Sequence, residues 1–207
     1  MAGGIFINYR RQDSRPWAGR LHDRLDANLP NELFMDVNTI APGDDFIAAI
    51  HRALEKCDVL LAVIGPGWLN IQNDSRTGRR IDSPGDFVRL ELEEALSRDL
   101  FIVPVLVDDA KMPAEEELPD SLKPLARRHA VTLTHEKWDT DTERLIGAIR
   151  NGLVSVAQRR AEEKRRREAE HRQAEAEARR NAAPVLQDLA EALQLRSAPG
   201  AVLGIGT

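Results

Sequence analysis

Asp58-Val59-Leu60-Leu61-Ala62-Val63-Ile64, followed at once by Gly65-Pro66-Gly67-Trp68, decides the fold of this chain. Beyond Asp58 the run is apolar at successive positions, so a strand here has both faces covered. That is the pattern of a central strand in a parallel sheet with helices on either side. The Gly-Pro-Gly that follows punctuates the run and marks a loop.

Outward from this segment, short apolar runs alternate with helical periodicity to about residue 153. Residues 5–9 read as a strand, Trp17, Leu21, Leu25 and Leu29 as one helix stripe, and 33–35 as a brief strand. Phe46, Ile50 and Leu54 mark a second helix. After a helix containing Val88, Leu92 and Ala95 come a strand over 101–107, a helix around 120–128, a strand over 130–133, and a helix with Leu145, Ile146 and Ile149. Such alternation predicts an α/β domain with helices flanking a parallel sheet. Ligands then collect at the carboxyl ends of the strands, here the loops 8–14, 36–42, 65–82 and 108–113. The 65–82 loop is long and polar enough over 70–82 for a mobile lid.

The composition changes near residue 155. The tract 155–181 is rich in Arg, Glu and Ala, and its i,i+4 pairs, Glu162 with Arg166, Glu163 with Arg167, Glu168 with Arg172 and Glu175 with Arg179, favour a solvated helix. Val185, Leu186, Leu189, Leu193 and Leu195 form a short amphipathic stripe after Pro184, and the Gly-containing tail 197–207 reads as loose. The expected organisation is a domain over 1–153, a charged helical spacer over 154–182, and a short helix with a tail over 183–207.

The chain has 207 residues, enough for one ordinary domain with an appendage. Its 29 basic and 34 acidic side chains are interspersed, with a formal charge of −5, so no basic field for nucleic acid stands out. Cys57 is the only cysteine, which excludes an internal disulfide and a multi-cysteine metal site. The histidines His22, His51, His129, His135 and His171 lack metal-ligand spacing, so no metal is expected. Neither a phosphate-binding glycine fingerprint nor a serine-nucleophile elbow is present. Met1-Ala2-Gly3-Gly4 runs into a strand without a basic leader, and no apolar stretch approaches bilayer length, so the expectation is a cytoplasmic protein without membrane association.

One carboxylate stands out against this background. In Ser83-Pro84-Gly85-Asp86-Phe87-Val88-Arg89-Leu90-Glu91-Leu92, Glu91 falls on the inward stripe with Val88 and Leu92. The expected helix starts with Ser83 as its cap, Pro84 at the first position and Asp86 as a capping-box acid, which puts Glu91 about two turns in. A carboxylate facing the interior needs a partner: a salt bridge to Arg89 of a neighbouring chain, to Arg10 or to Arg11, or else a ligand.

Phe6-Ile7-Asn8-Tyr9-Arg10-Arg11, Phe34-Met35-Asp36 with Ile40-Ala41-Pro42-Gly43, Leu61-Ala62-Val63-Ile64-Gly65-Pro66-Gly67-Trp68, Asp86-Phe87-Val88-Arg89-Leu90-Glu91 and Val103-Pro104-Val105, in that order, resemble a bacterial TIR (Toll/interleukin-1 receptor) domain over residues 1–153. The resemblance implies a flavodoxin-like, three-layer α/β fold with a five-stranded parallel sheet. TIR domains include signalling scaffolds and enzymes that cleave NAD⁺ between nicotinamide and ribose. In the enzymes a glutamate early in the helix after the third strand is catalytic, and Glu91 occupies that place.

By the same resemblance Tyr9 and Arg10 border the nicotinamide-ribose pocket, and Arg11 lies near the pyrophosphate or positions Glu91. Phe34 forms an apolar wall, Trp68 stacks on a ring or lies at the pocket mouth, and Asp36 and Phe87 complete the substrate contacts. Phe87 stands where many TIR enzymes carry a tryptophan, which keeps an apolar contact without an indole donor. Tyr9 and Phe34 as strand-end core, Arg10 and Arg11 as solvated loop charges and Trp68 as a helix-covering side chain are the structural alternatives. The implied activity is that of a self-assembling NAD⁺ nucleosidase, in antiphage defence or as an effector, with NAD⁺ as substrate and no cofactor. A non-catalytic adaptor using the 36–43 loop and the C-terminal helices is the other possibility.

Overall fold

The computed structural model describes residues 3–30, 33–35 and 45–196, without the side chains of Phe46, Ala183 and 185–196. Five parallel strands, β1 (Gly4–Tyr9), β2 (Leu33–Met35), β3 (Cys57–Ile64), β4 (Phe101–Val107) and β5 (Val131–Leu133), form one sheet in the order β2-β1-β3-β4-β5. This is the flavodoxin-like order. The strand order reverses between β1 and β3, the crevice where such sheets bind ligands.

β3 is buried along its whole length, as its two-sided apolar run requires. Val59, Leu61 and Val63 join Ile5, Ile7 and Tyr9 against α1 (Arg15–Asp26) and the start of α5 (Trp138–Arg196). Leu60, Ala62 and Ile64 join Phe6 against α2 (Phe46–Glu55), α3 (Phe87–Ser97) and α4 (Lys123–Ala126). The period of two along each strand thus sorts the core into two layers. In the first, α5 comes so close to β4 that a Cβ at Gly152 would lie 2.2 Å from the Phe101 ring.

Residues 120–128 hold a 3₁₀ turn, Asp120–Leu122, running into the short α4, rather than a full helix. Pro124 near its start and only one turn of apolar contact, through Leu122 and Leu125, account for the shortness.

Contacts divide the chain into two units, Met1–Ala157 and Gln158–Thr207. The charged tract and the stretch beyond it lie in one helical element, α5, with Pro184 inside. Within the tract Glu163 meets Arg167 at 2.5 Å as expected. Arg166 instead reaches forward to Glu170 and Lys164 to Glu168. No helix among the described residues is long and apolar enough to cross a membrane.

Where α2 meets α3, Glu94 Oε1 lies 2.7 Å from His51 Nδ1 and accepts from Arg98 Nε. Burial pushes the Glu94 carboxyl upward, but the hydrogen bonds from Arg98 and His51 outweigh it and hold the group below its ordinary range. A carboxyl depressed in the folded state adds stability above its unfolded value and loses it as pH falls through the folded one. The gap in thermal midpoint between wild type and Glu94→Gln is therefore expected to be widest near neutrality and to close on acidification. Paired melting curves along an acid titration measure it.

Candidate functional site

At the β1–β3 switch point the chain leaves β1 through Asn8, Tyr9 and Arg10 and leaves β3 through Gly65-Pro66-Gly67-Trp68. Three side chains, Asp13, Ser14 and Arg10, tie these exits together. Asp13 accepts from Gly65 N through Oδ2 at 2.9 Å and from Gly67 N through Oδ1 at 2.7 Å. Gly65 is required there, because a Cβ would sit 2.5 Å from the same Asp13 oxygen. Ser14 Oγ donates to the Val63 carbonyl at 3.3 Å.

Arg10 makes the third tie. Its guanidinium donates in a fork to Asp86, Nη1 to Oδ2 and Nη2 to Oδ1, both at 2.9 Å, while Nε donates to the Trp68 carbonyl at 2.9 Å. The two side chains are 4% and 1% exposed, so this is a desolvated, bidentate ion pair. Arg80 Nε adds a second cation at 3.3 Å from Asp86 Oδ2.

Asp86 also starts α3. Its Oδ1 accepts from Arg89 N at 3.0 Å, which makes Asp86 the N-cap and Phe87 the first helical residue. Ser83 and Pro84, expected as cap and first position, instead form a turn closed by Asp86 N to Ser83 O at 3.0 Å. Pro followed by Gly favours that turn, and Asp caps as well as Ser. Glu91 accordingly stands in the second turn, one step nearer the sheet rim than expected.

The 65–82 segment is also built rather than loose. Gln72 bridges Arg79, Asn73 N donates to Gly78 O at 2.9 Å, Thr77 N donates to Asn73 Oδ1 at 3.0 Å, and Ile81 is wholly buried. These bonds and the Ile81 anchor shape the residues considered for a lid into a small hairpin.

Glu91 is 8% exposed, on the stripe with Val88, Leu92 and Ala95. Its Oε2 accepts from Asn8 Nδ2 at 2.7 Å, and the same nitrogen donates to the Val88 carbonyl at 3.2 Å. Arg89 turns to Glu93 at 2.7 Å and Arg10 to Asp86, so these two candidate partners are committed elsewhere.

Not all of the expected site residues gather around Glu91. Tyr9 points into the α1–α5 layer, on the opposite sheet face. Phe34, beside Phe6 in the β1–β2 register, packs half-buried on the Glu91 side. Trp68 is 1% exposed in the same layer, and Arg10 Cζ lies 5.7 Å from its ring centroid. Phe87 is 46% exposed at the first position of α3, and Arg11 is exposed. Asp36, with the rest of the 36–44 segment, lies outside the described residues. No cluster of metal-binding side chains occurs among the described residues.

Asn8 and Asp86 do most to hold this site, and sequence reasoning assigned neither that role. The available signal for Asn8 was a polar residue at an inward position of an apolar strand. Asn8 Oδ1 and Trp68 Nε1 are buried without a hydrogen-bond partner among the described residues, an uncommon state for polar atoms inside a protein.

A family model described as TIR domain matches residues 5–146. Among solved structures, the chain is similar to a prokaryotic SEFIR domain at 17% identity, with a TM-score of 0.50, covering 71% of this chain and 92% of that one. It is similar at 16% identity to the TIR domains of the activated Roq1 resistosome directly recognizing the pathogen effector XopQ, with a TM-score of 0.41 and coverage of 75% and 84%. A metazoan TIR-STING receptor from C. gigas in complex with 2',3'-cGAMP matches at 16%, with a TM-score of 0.44 and coverage of 67% and 38%. At 17% identity the likeness to the SEFIR domain is one of fold alone. No curated protein matches the chain.

The Arg10–Asp86 pair makes the site's stability testable. Asp86→Ala strands a buried guanidinium and removes the α3 cap, so it is expected to cost about 3–5 kcal/mol in urea unfolding. The double variant Arg10→Met/Asp86→Leu is expected to lose clearly less, because no fully buried charge is left uncompensated and Arg80 is partly exposed to solvent.

Proposed function

The chain belongs to the TIR-domain family, and on that premise we propose that it is an NAD⁺ nucleosidase cleaving the nicotinamide–ribose bond with Glu91 as its catalytic residue. The observation that carries this is the Glu91 carboxylate itself. It is nearly buried on the inward face of α3, one turn from the ligand-binding rim of the sheet, and held by an amide. A carboxylate in that setting is costly to keep and well placed to meet positive charge.

The chemistry suits a lone acid. Ordinary glycosidases use two carboxyl groups because the leaving oxygen needs a proton as the sugar carbon becomes electron-poor. In NAD⁺ the bond from the ribose carbon to the pyridinium nitrogen breaks with its electron pair going to nitrogen. Nicotinamide therefore leaves neutral, and no general acid is needed. One fixed carboxylate then stabilises the oxocarbenium-like centre and anchors a ribose hydroxyl. Water adds to that centre and releases a proton, giving ADP-ribose; attack by the adenine of the same molecule gives a cyclic isomer. Phe34 lines the Glu91 side of the sheet, and self-association through the TIR domain supplies activation. Defence against phage, or action as an effector, is the setting we assign to this reaction.

A scaffold reading has one observation in its favour. Arg10, at the β1 exit, is buried and already committed to Asp86 and the Trp68 carbonyl through three of its five N–H groups. For the enzyme to use it, that fork has to open. Purified protein, in dilute solution and crowded on beads, is expected to release nicotinamide from NAD⁺, and Glu91→Ala to lower the rate about 10³-fold. Chromatography of the products measures both. Equal rates in the variant would end the nucleosidase proposal, and self-association without any nicotinamide release would leave the scaffold.

A further inference from the structure

We propose that Asn8 is the positioning residue for Glu91, an inference that rests on the nucleosidase reading above. Asn8 is wholly buried on β1, on the sheet face shared with Phe6, and its register partner on β3 is Ala62. An apolar residue of similar volume would suit the strand position itself, but would take this donor from the Glu91 carboxylate. Instead the chain keeps an amide whose Oδ1 has no hydrogen-bond partner among the described residues, a state that costs free energy.

The donor end explains its retention. Nδ2 reaches Glu91 Oε2 at 2.7 Å and the Val88 carbonyl at 3.2 Å. An amide nitrogen carries two hydrogens, so both are committed, one to the carboxylate and one to the helix turn that presents it. β1, paired with a strand on each side, thereby holds the Glu91 carboxylate and the helix turn that carries it. A carboxylate on a helix alone would keep rotational freedom about its side-chain bonds, and a reacting group displaced by an ångström forfeits about 10²-fold in rate.

The test compares Asn8→Leu, which fills the space without a donor, and Asn8→Ser, which keeps one. Nicotinamide release is measured alongside wild type and Glu91→Ala, after thermal melts establish that each variant is folded. Asn8→Leu is expected to lower kcat about 10²-fold with KM changed less than about threefold, and Asn8→Ser to recover about tenfold of that loss. In nitrogen-15 spectra, the Asn8 side-chain amide signals are expected to move on Glu91→Gln. An active wild type with a dead Glu91→Ala but an undiminished Asn8→Leu would overturn the positioning role and leave the nucleosidase standing. So would Asn8→Ser as damaged as Asn8→Leu. A wild type that releases no nicotinamide on beads would overturn both.

Discussion

The bidentate pair between Arg10 and Asp86 is the constraint on which the rim of this molecule depends. A buried carboxylate met by a guanidinium fork, a second arginine and a backbone amide has nearly all its acceptor capacity used. The same side chain fixes where the chain goes after β1, where the hairpin-bearing loop after β3 returns, and where α3 begins. Glu91 takes its place on the sheet as a consequence: the helix that carries it is aimed by its cap. Charge compensation at Asp86 and the apolar packing of Trp68 and Ile81 together order this corner of the fold.

The sheet was legible in the sequence because its central strands β3 and β4 are apolar on both faces over nearly their whole length. Glu91 was legible for the opposite reason, as an acid on an apolar stripe. The start of α3 was not, since Ser83-Pro84-Gly85-Asp86 spells a helix cap and a β-turn with the same letters. Only the Arg10 fork on Asp86 decides between them. The pairings Arg10–Asp86 and Asn8–Glu91 span 76 and 83 positions, a distance over which local pattern carries no information. The split of Tyr9 from Glu91 was in principle readable from the strand period, because Asn8 and Tyr9 are adjacent and so must face opposite layers.

The two possible roles of a TIR domain divide here along a physical line. A surface that only assembles has no use for an inward acid. A site that cleaves a glycosidic bond needs one, together with something rigid to hold it. In the nucleosidase we propose, Asn8 on β1 meets that second need, while Arg10 is committed through three of its N–H groups to Asp86 and the Trp68 carbonyl, the protein's own architecture.

Asp13 carries a further implication. Because one carboxylate clasps the amides of Gly65 and Gly67, beside the bonds from Arg10 and Ser14, the exits of β1 and β3 are stitched together. Neither can loosen while the other stays taut. Parting the two exits therefore means breaking bonds that belong to both of them at once.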